Sequence, residues 1–219
     1  MTISKAWDWE KGRKDAVWFI PSEESHYLAW RWKRAACTTL LDLGCGLGRH
    51  SIFYAEQGFT VSATDLSPVG VANLQQWAKS EGLAIDAKVS DMLHLPYPDA
   101  TFDCLLAYHV IYHTGTAGIT HILSEISRVL KPGGECFVTF ISKESPAYRD
   151  MDYPRLDENT LLKTAPGPEQ NVPHYYTDLP GLIELFKGLD IISIRHINDC
   201  YFDGTQRDSR HFFVLARRI

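Results

Sequence analysis

Three glycines stand at alternate positions, Gly44, Gly46 and Gly48, directly behind the short apolar run Thr39–Leu43. Glycine adopts left-handed backbone conformations without steric cost, but it weakens regular structure. Three glycines within five positions therefore need a structural or functional reason. A loop of this composition lets the main chain approach a bound molecule closely. The sequence therefore predicts a ligand-binding turn between a strand and a helix.

Acidic residues accompany this loop where three successive predicted strands end. Asp42 precedes the first glycine by two positions, Asp65 ends the second strand, and Asp91 follows the third. A carboxylate like that of Asp65 can accept hydrogen bonds from both hydroxyls of a ribose. Asp91 can accept from the exocyclic amine of adenine, with Met92 packed on the ring. Glycines and acids together predict a nucleoside site.

A second group of reactive side chains follows the fourth predicted strand, in AYHVIYHTGT. Tyr108, His109, Tyr112 and His113 are expected at the mouth of the site. Either histidine can serve as a general base, because the pKa of imidazole is near neutrality. The alternative is that one of them only packs against the ligand or the next helix.

A third group lies in the later segment PGPEQNVPHYYTDLP, which holds Glu169, His174, Tyr175 and Tyr176. We predict that His174 takes part in the chemistry. The alternative is a surface loop whose tyrosines pack on the edge of the sheet.

Strand-like and helix-like segments alternate from residue 39 to residue 141, which predicts a parallel sheet with helices on both faces. Two further apolar segments, Ile191–Ile197 and Phe212–Arg217, predict an antiparallel strand pair at the C-terminal end. The expected fold is an α/β, Rossmann-like, doubly wound sheet. The predicted strands of its first part are Thr39–Leu43, Thr60–Thr64, Ile85–Val89, Phe102–Tyr108 and Glu135–Ile141.

The chain has 219 residues, which favours a single domain. We expect four parts: an N-terminal helical cover (1–36), a ligand-binding core (37–141), a substrate loop without regular structure (142–177), and a helix with the strand pair (178–219). Serine and proline at 67 and 68 predict the start of one core helix.

At this point the motifs LLDLGCGLGRHS, TDLSP, VSDMLHLPYPDATFD and LSEISRVLKPGG resemble the class I S-adenosylmethionine-dependent methyltransferases in order and spacing. The resemblance covers roughly residues 38–141 and is closest to the small-molecule, type 11-like enzymes. The later loop is more loosely similar to the tellurite-resistance methyltransferases. The resemblance implies S-adenosyl-L-methionine as the cofactor, with the glycine loop at its methionine end, Asp65 at the ribose, and Asp91 with Met92 at the adenine.

The resemblance also implies a set of site residues. Asp42 either touches the cofactor or anchors the loop, and Arg49 either meets the cofactor's carboxylate or is a surface arginine. The predicted cofactor-binding residues are Asp42, Gly44, Cys45, Gly46, Gly48, Arg49, Asp65, Leu66, Asp91, Met92 and Tyr108. The predicted catalytic residues are His109, Tyr112, His113 and His174, and no metal ligand is predicted.

The first 35 residues are rich in aromatic side chains, which attract cations such as a sulfonium. Trp18, Phe19 and Tyr27 are the expected cover over the cofactor. The alternative is that these rings belong to the core of a helix.

Methyl transfer from a sulfonium is an in-line displacement, so the protein mainly holds two partners in line and excludes water. The segment AYHVIY lacks the Asn/Asp-Pro-Pro-aromatic pattern of many relatives that methylate amino groups of bases or glutamine. A small-molecule acceptor is therefore expected. One alternative is an S-adenosylmethionine-binding sensor or accessory subunit without transferase activity. A nicotinamide-dependent oxidoreductase is disfavoured by the glycine spacing and by Asp42.

Composition limits the partners. The formal net charge of −5 disfavours a nucleic-acid partner. No apolar run approaches the roughly 20 residues of a membrane span, and no signal peptide is predicted. Five widely spaced cysteines suit a reducing compartment. We therefore expect a cytoplasmic monomer or homodimer that contacts no membrane.

Overall fold

The computed structural model describes residues 5–12, 15–149, 152–200 and 206–219. Within these ranges no helix is long and apolar enough to cross a membrane. The described helices are α1 (Trp9–Gly12), α2 (Glu23–Arg34), α3 (Arg49–Glu56), α4 (Pro68–Ser80), α5 (Thr116–Val129), α6 (Pro146–Arg149) and α7 (Leu179–Leu185), with a 3₁₀ turn at Ala16–Phe19 between α1 and α2.

The described strands form one mixed sheet. They are β1 (Thr39–Leu43), β2 (Thr60–Asp65), β3 (Ile85–Val89), β4 (Phe102–Ala107), β5 (Leu130–Ser142), β6 (Arg155–Asp157), β7 (Thr160–Lys163), β8 (Val172–Thr177), β9 (Leu189–Cys200) and β10 (Gln206–Arg218).

The strands pair in the order β3-β2-β1-β4-β5, all parallel, and β10 and β9 continue beyond β5 in antiparallel pairing. The end of β5 also pairs in parallel with β8, and β7 and β6 follow β8 in antiparallel pairing. The expected Rossmann-like sheet with an antiparallel C-terminal pair is confirmed.

Helices on both faces bury the central strands. In β4, the side chains of Cys104, Leu105 and Leu106 are fully buried, as continuous apolar runs in parallel sheets usually are. Helix α5 packs one apolar face on the sheet, with Ile119 and Ile122 fully buried. The apolar residues of α5 recur at helical spacing, so that they form the one face that turns toward the core.

The expectation that residues 142–177 lack regular structure is wrong. Helix α6 and strands β6, β7 and β8 lie in this segment. All six residues of β8 are buried, so the strand shows no alternation of polar and apolar side chains. The period-2 signal was therefore missing, and the proline, acidic and tyrosine residues around it suggested a loop.

Strand β5 begins earlier than predicted, at Leu130 rather than Glu135. Helix α5 ends at Val129, and the segment Lys131–Gly134 that follows belongs to β5, beside β4. The register between β4 and β5 shifts there, between Phe102 and Cys104. A bulge accommodates the proline and glycines within the sheet.

Candidate active site

The site lies where the strand order reverses. The chain runs outward from β1 through β2 to β3, then returns to place β4 on the other side of β1. The loops after β1 and β4 therefore diverge and leave a crevice at the carboxyl ends of the strands, where ligands bind in folds of this kind. The glycine loop and the segment that begins at Tyr108 form its two sides.

The glycine loop requires glycine at each of its alternate positions. Gly44, Gly46 and Gly48 have φ values of +73°, +55° and +104°. A Cβ atom on Gly44 would lie 2.2 Å from Val110, and one on Gly46 would lie 2.5 Å from the ring of Trp9. At these positions the backbone is left-handed and there is no space for a Cβ atom, so both features require glycine, as the sequence suggested.

Asp65 fixes the geometry of this loop. Its Oδ2 accepts a hydrogen bond from the amide of Gly46 at 2.8 Å, and its Oδ1 accepts from the amide of Ser67 at 2.8 Å. Burial raises the pKa of Asp65, and these two N–H groups partly oppose that rise. Each carboxylate oxygen retains a second lone pair, so Asp65 can still accept from a ligand.

Two adjoining cavities meet at this carboxylate. The larger has a volume of about 420 Å³ and the smaller about 60 Å³. Gly44, Asp65 and His113 line both of them. An elongated ligand can therefore extend past Asp65 from one cavity into the other.

The smaller cavity contains the residues expected around the adenine. Asp91 and Met92 line it, together with Leu66, another of the predicted cofactor-binding residues. The amide of Leu93 donates to Oδ1 of Asp91 at 2.9 Å, which orients the carboxylate in a tight turn after β3.

The larger cavity contains most of the other predicted residues. It is bounded by the glycine loop on one side and by the segment after β4 on the other. The predicted residues that line it are Gly44, Cys45, Gly46, Arg49, Asp65, Tyr108, His109, Tyr112 and His113.

His109 lies in the segment after β4 that bounds the larger cavity. Its backbone is strained, with a φ of +55°. Its amide donates to Oγ1 of Thr139 at 2.7 Å, and its ring centroid lies 4.3 Å from that of His211. Burial and the neighbouring His211 lower the pKa of His109 well below its ordinary value. The imidazole is therefore neutral at physiological pH, as a base must be before it accepts a proton.

Three predicted residues, Asp42, Gly48 and His174, are absent from the described lining of both cavities. Asp42 accepts a hydrogen bond from Oγ of Ser51 at 2.5 Å and is 1% exposed. It thus joins β1 to α3 beneath the loop, as the anchoring alternative described. Gly48 precedes α3 and faces Leu74.

The buried Asp42 leads to a pH-dependent stability prediction. Burial raises its pKa to about 6, from about 3.8 in an unfolded chain. The resulting stabilisation is present below pH 3.8 and is lost as the pH rises through about 6. In Asp42→Asn, the free energy of unfolding relative to wild type should therefore rise by about 3 kcal/mol between pH 3.5 and 7.5.

Urea denaturation at several pH values measures this difference. The exposed Asp86, changed to asparagine, is the matched control and should give a profile parallel to wild type. A profile of Asp42→Asn that also runs parallel to wild type would contradict the assignment.

The side chain of Arg49 is partly buried and is held by several contacts. Its guanidinium donates to the carbonyl of Val17 at 2.8 Å and lies 5.4 Å from the ring of Trp18 and 5.6 Å from that of Tyr108. The side chain thus connects the N-terminal segment to both sides of the crevice, while it lines the larger cavity.

The aromatic cover differs in part from the expectation. Trp7, Trp9 and Trp18 pack together, with ring centroids 5.3–5.7 Å apart, and all three line the larger cavity. Phe19 instead packs on Trp77, and Tyr27 packs on Trp30 at the surface; both are about half exposed. Their inclusion in the cover was therefore wrong.

The reason is geometrical. Tyr27 on α2 is exposed at the surface, whereas Trp9, the first residue of α1, lies against Gly46 of the glycine loop. The amide of Asp8 donates to the carbonyl of Pro168 at 3.2 Å, so this segment also meets the loop before β8. Residues 1–4 and 13–14 of the predicted cover lie outside the described residues.

The structure brings one unforeseen cluster together. Glu169, from the loop before β8, has its Oε1 3.8 Å from Nε2 of His113 and 3.4 Å from Nε2 of His174. Burial alone would raise the pKa of Glu169, but the two imidazoles and Lys163 outweigh it and hold the pKa well below its usual range. Position in the sequence gave no sign of this contact, although Glu169 and His174 share one polar segment.

Comparison with known proteins identifies the fold and the motifs. A family model described as a methyltransferase domain matches residues 41–138, which span β1 through most of β5. The chain thus contains a methyltransferase domain, and S-adenosylmethionine-dependent methyltransferases are among its homologues and structural neighbours. The resemblance of the sequence motifs to this family is thereby confirmed, and the cofactor of the family is S-adenosyl-L-methionine.

Among curated relatives of this chain, norajmaline N-methyltransferase from Rauvolfia serpentina is 37% identical over 129 residues, which are 57% of this chain and 42% of that protein. The first three relatives are matched over 40%, 55% and 42% of their own lengths, so the chain spans about half of the curated relatives it matches.

Solved structures share the fold at lower identity. A methyltransferase from Methanosarcina mazei superposes with a TM-score of 0.71 at 22% identity, covering 83% of this chain and 92% of that one. TehB from Haemophilus influenzae superposes with a TM-score of 0.65 at 18% identity, covering 89% and 62%. The looser resemblance to tellurite-resistance methyltransferases thus extends to the fold.

Proposed function

We propose that this protein transfers the methyl group of S-adenosylmethionine to a small molecule by direct in-line displacement. The observation that carries the proposal is the continuity of the two cavities at Asp65. Asp91 and Met92 stand at one end, the glycine loop in the middle, and His109, Tyr112 and His113 at the other. This order matches adenine, ribose and sulfonium with the acceptor beyond.

The main contribution of the protein to catalysis is positioning. The methyl carbon is already activated by the positive sulfur, so holding donor and acceptor in line and excluding water lowers the barrier. The rings of Trp7, Trp9 and Trp18 cover the larger cavity and present π faces to a cation. His109, neutral and buried, is the proposed base when the acceptor must lose a proton.

A small acceptor suits the enclosure. The larger cavity of about 420 Å³ must hold part of the cofactor together with the acceptor, and it is roofed by the N-terminal segment. The related norajmaline N-methyltransferase is named for a small-molecule acceptor. We propose no nucleic-acid or membrane partner, and a monomer or homodimer in the cytoplasm.

Binding of S-adenosylhomocysteine, the reaction product, tests the cofactor assignment. Calorimetric titration should show one site per chain, and tryptophan fluorescence should change because three indoles line the larger cavity. NADH should not bind. Tight binding of NADH without binding of S-adenosylhomocysteine would overturn the proposal in favour of an oxidoreductase.

Turnover separates an enzyme from the alternative of a binding protein or sensor. Methyl-labelled S-adenosylmethionine is offered with pools of phenols, amines, thiols and chalcogen oxyanions, and the release of S-adenosylhomocysteine is followed. We expect release with one acceptor class. In His109→Ala, turnover should fall at least tenfold while the affinity for S-adenosylhomocysteine is retained. Cofactor binding without turnover in every pool would favour the sensor.

A further inference from the structure

The cluster of His113, Glu169 and His174, here called the His-Glu-His cluster, has the composition and spacing of a metal site. One ligand atom from each residue, two imidazole nitrogens and a carboxylate oxygen, lies within 4.8 Å of the others. Zinc bonds of about 2.0–2.2 Å in a tetrahedral site put neighbouring donor atoms about 3.3 Å apart. The observed separations from Oε1 of Glu169, 3.4 and 3.8 Å, approach that value.

The orientation of His174 is set by a backbone partner. Its Nδ1 lies 3.0 Å from the carbonyl oxygen of Val172. A carbonyl oxygen only accepts, so Nδ1 carries the proton and the Nε2 of a neutral imidazole presents a lone pair. A hydrogen bond from the second ring nitrogen to a carbonyl is the usual way in which a metal-binding histidine is oriented.

The lone pair on Nε2 of His174 faces a carboxylate oxygen of Glu169, which is also an acceptor. This arrangement is unfavourable unless a cation lies between the two atoms. The side chain is fully buried, and Nε2 points toward a carboxylate oxygen at 3.4 Å. In the described part of the chain, Nε2 of His174 and Nε2 of His113 are both buried without a hydrogen-bond partner. The lone pair of His174, a nitrogen of His113 and a carboxylate oxygen thus converge on one point, and the two acceptors there need a proton or a metal ion between them.

The other oxygen of Glu169 is already occupied. Lys163 binds Oε2, and this pairing leaves Oε1 directed at the two histidines. The cluster also borders the site, because His113 and Glu169 both line the larger cavity whereas His174 lies behind them. A metal ion held here by three protein ligands keeps a fourth position open toward the cavity.

We propose that His113, Glu169 and His174 bind a divalent transition-metal ion such as Zn²⁺, whose open position takes an ionisable oxygen or sulfur of a small molecule. The role of the ion in methyl transfer rests on the proposed function. An acceptor hydroxyl or thiol loses its proton to His109, the proposed base in the same cavity, as it coordinates, and its lone pair forms the bond to the methyl carbon. The electrons of the broken carbon–sulfur bond return to sulfur, which leaves a neutral thioether.

Metal binding is tested independently of turnover. The full-length protein is stripped with a chelator, dialysed and titrated with ZnCl₂ by calorimetry, and Co²⁺ loading is followed by its visible absorption. We expect one ion per chain with a dissociation constant below about 1 μM. Tetrahedral coordination with histidine ligands should appear in the Co²⁺ spectrum.

Variants assign the ligands. Glu169→Gln keeps the volume of the side chain and should weaken zinc binding at least 100-fold, and His174→Ala should do the same if it folds, as judged by circular dichroism. Both should bind S-adenosylhomocysteine within about threefold of wild type. His121→Ala is the matched control, because His121 is exposed and packs edge-to-face on another histidine, His94, away from both cavities. It should change neither affinity.

The outcomes separate the two proposals. Normal binding of S-adenosylhomocysteine without binding of zinc would overturn the metal site and leave the methyltransferase proposal intact. A zinc affinity that is equal in wild type and Glu169→Gln would overturn the proposed metal site as well. Zinc binding without binding of S-adenosylhomocysteine would support the metal site and contradict the proposed function.

Discussion

Replacing Glu135 with alanine should lower the free energy of unfolding by about 3 kcal/mol, because several cations and donors lose one shared acceptor. The carboxylate, on β5, accepts from Nε and Nη2 of Arg31 at 2.8 and 2.7 Å. Nε1 of Trp32 donates to it at 3.1 Å and Arg217 at 3.3 Å. Trp32 is completely buried, so its N–H would be left without a partner.

Chemical denaturation with urea measures this loss. Asp99→Ala is the matched control: its ion pair with Arg128 involves a carboxylate that is 75% exposed, and its loss should cost less than about 1 kcal/mol. Glu135→Gln should fall between wild type and the alanine variant, since the amide oxygen still accepts. A change below about 1 kcal/mol in Glu135→Ala would show that the network between α2 and β5 contributes little.

Replacing Asp65 with alanine should lower the affinity for S-adenosylhomocysteine by at least 100-fold. Under the proposed function, the variant loses two hydrogen bonds from the ribose to an ionised acceptor, each contributing about 1.5–3 kcal/mol. It also frees the amides of Gly46 and Ser67, which the carboxylate holds in the present loop geometry. Both effects act in the same direction.

Calorimetric titration with S-adenosylhomocysteine gives the result, and thermal unfolding shows that the variant remains folded. Asp65→Asn separates the two effects, because its side chain keeps one acceptor oxygen and its volume. We expect it to lose less affinity than the alanine variant. Affinity in Asp65→Ala equal to that of wild type would mean that the nucleoside binds elsewhere, and the assignment of the crevice would fail.

The sequence by itself determined the central part of the fold and its ligand loop. β1, the glycine turn and α3 are adjacent in the chain, so local propensities were enough to place them. The same holds for β2 followed by Ser67, whose side chain caps α4. Because parallel strands end at one edge of a sheet, Asp65 and Asp91 could be expected near that loop before any contact was known.

The tertiary structure alone decided which distant residues meet. Trp9 lies against Gly46, and Glu169 reaches His113 and His174, through contacts between segments far apart in the chain. Strand β8 was not recognised because its burial on both faces removed the alternating pattern that marks a strand. Local patterns specify how a segment folds, whereas the packing of the whole chain fixes which segments touch. For that reason the cofactor loop could be predicted from the sequence and the His-Glu-His cluster could not.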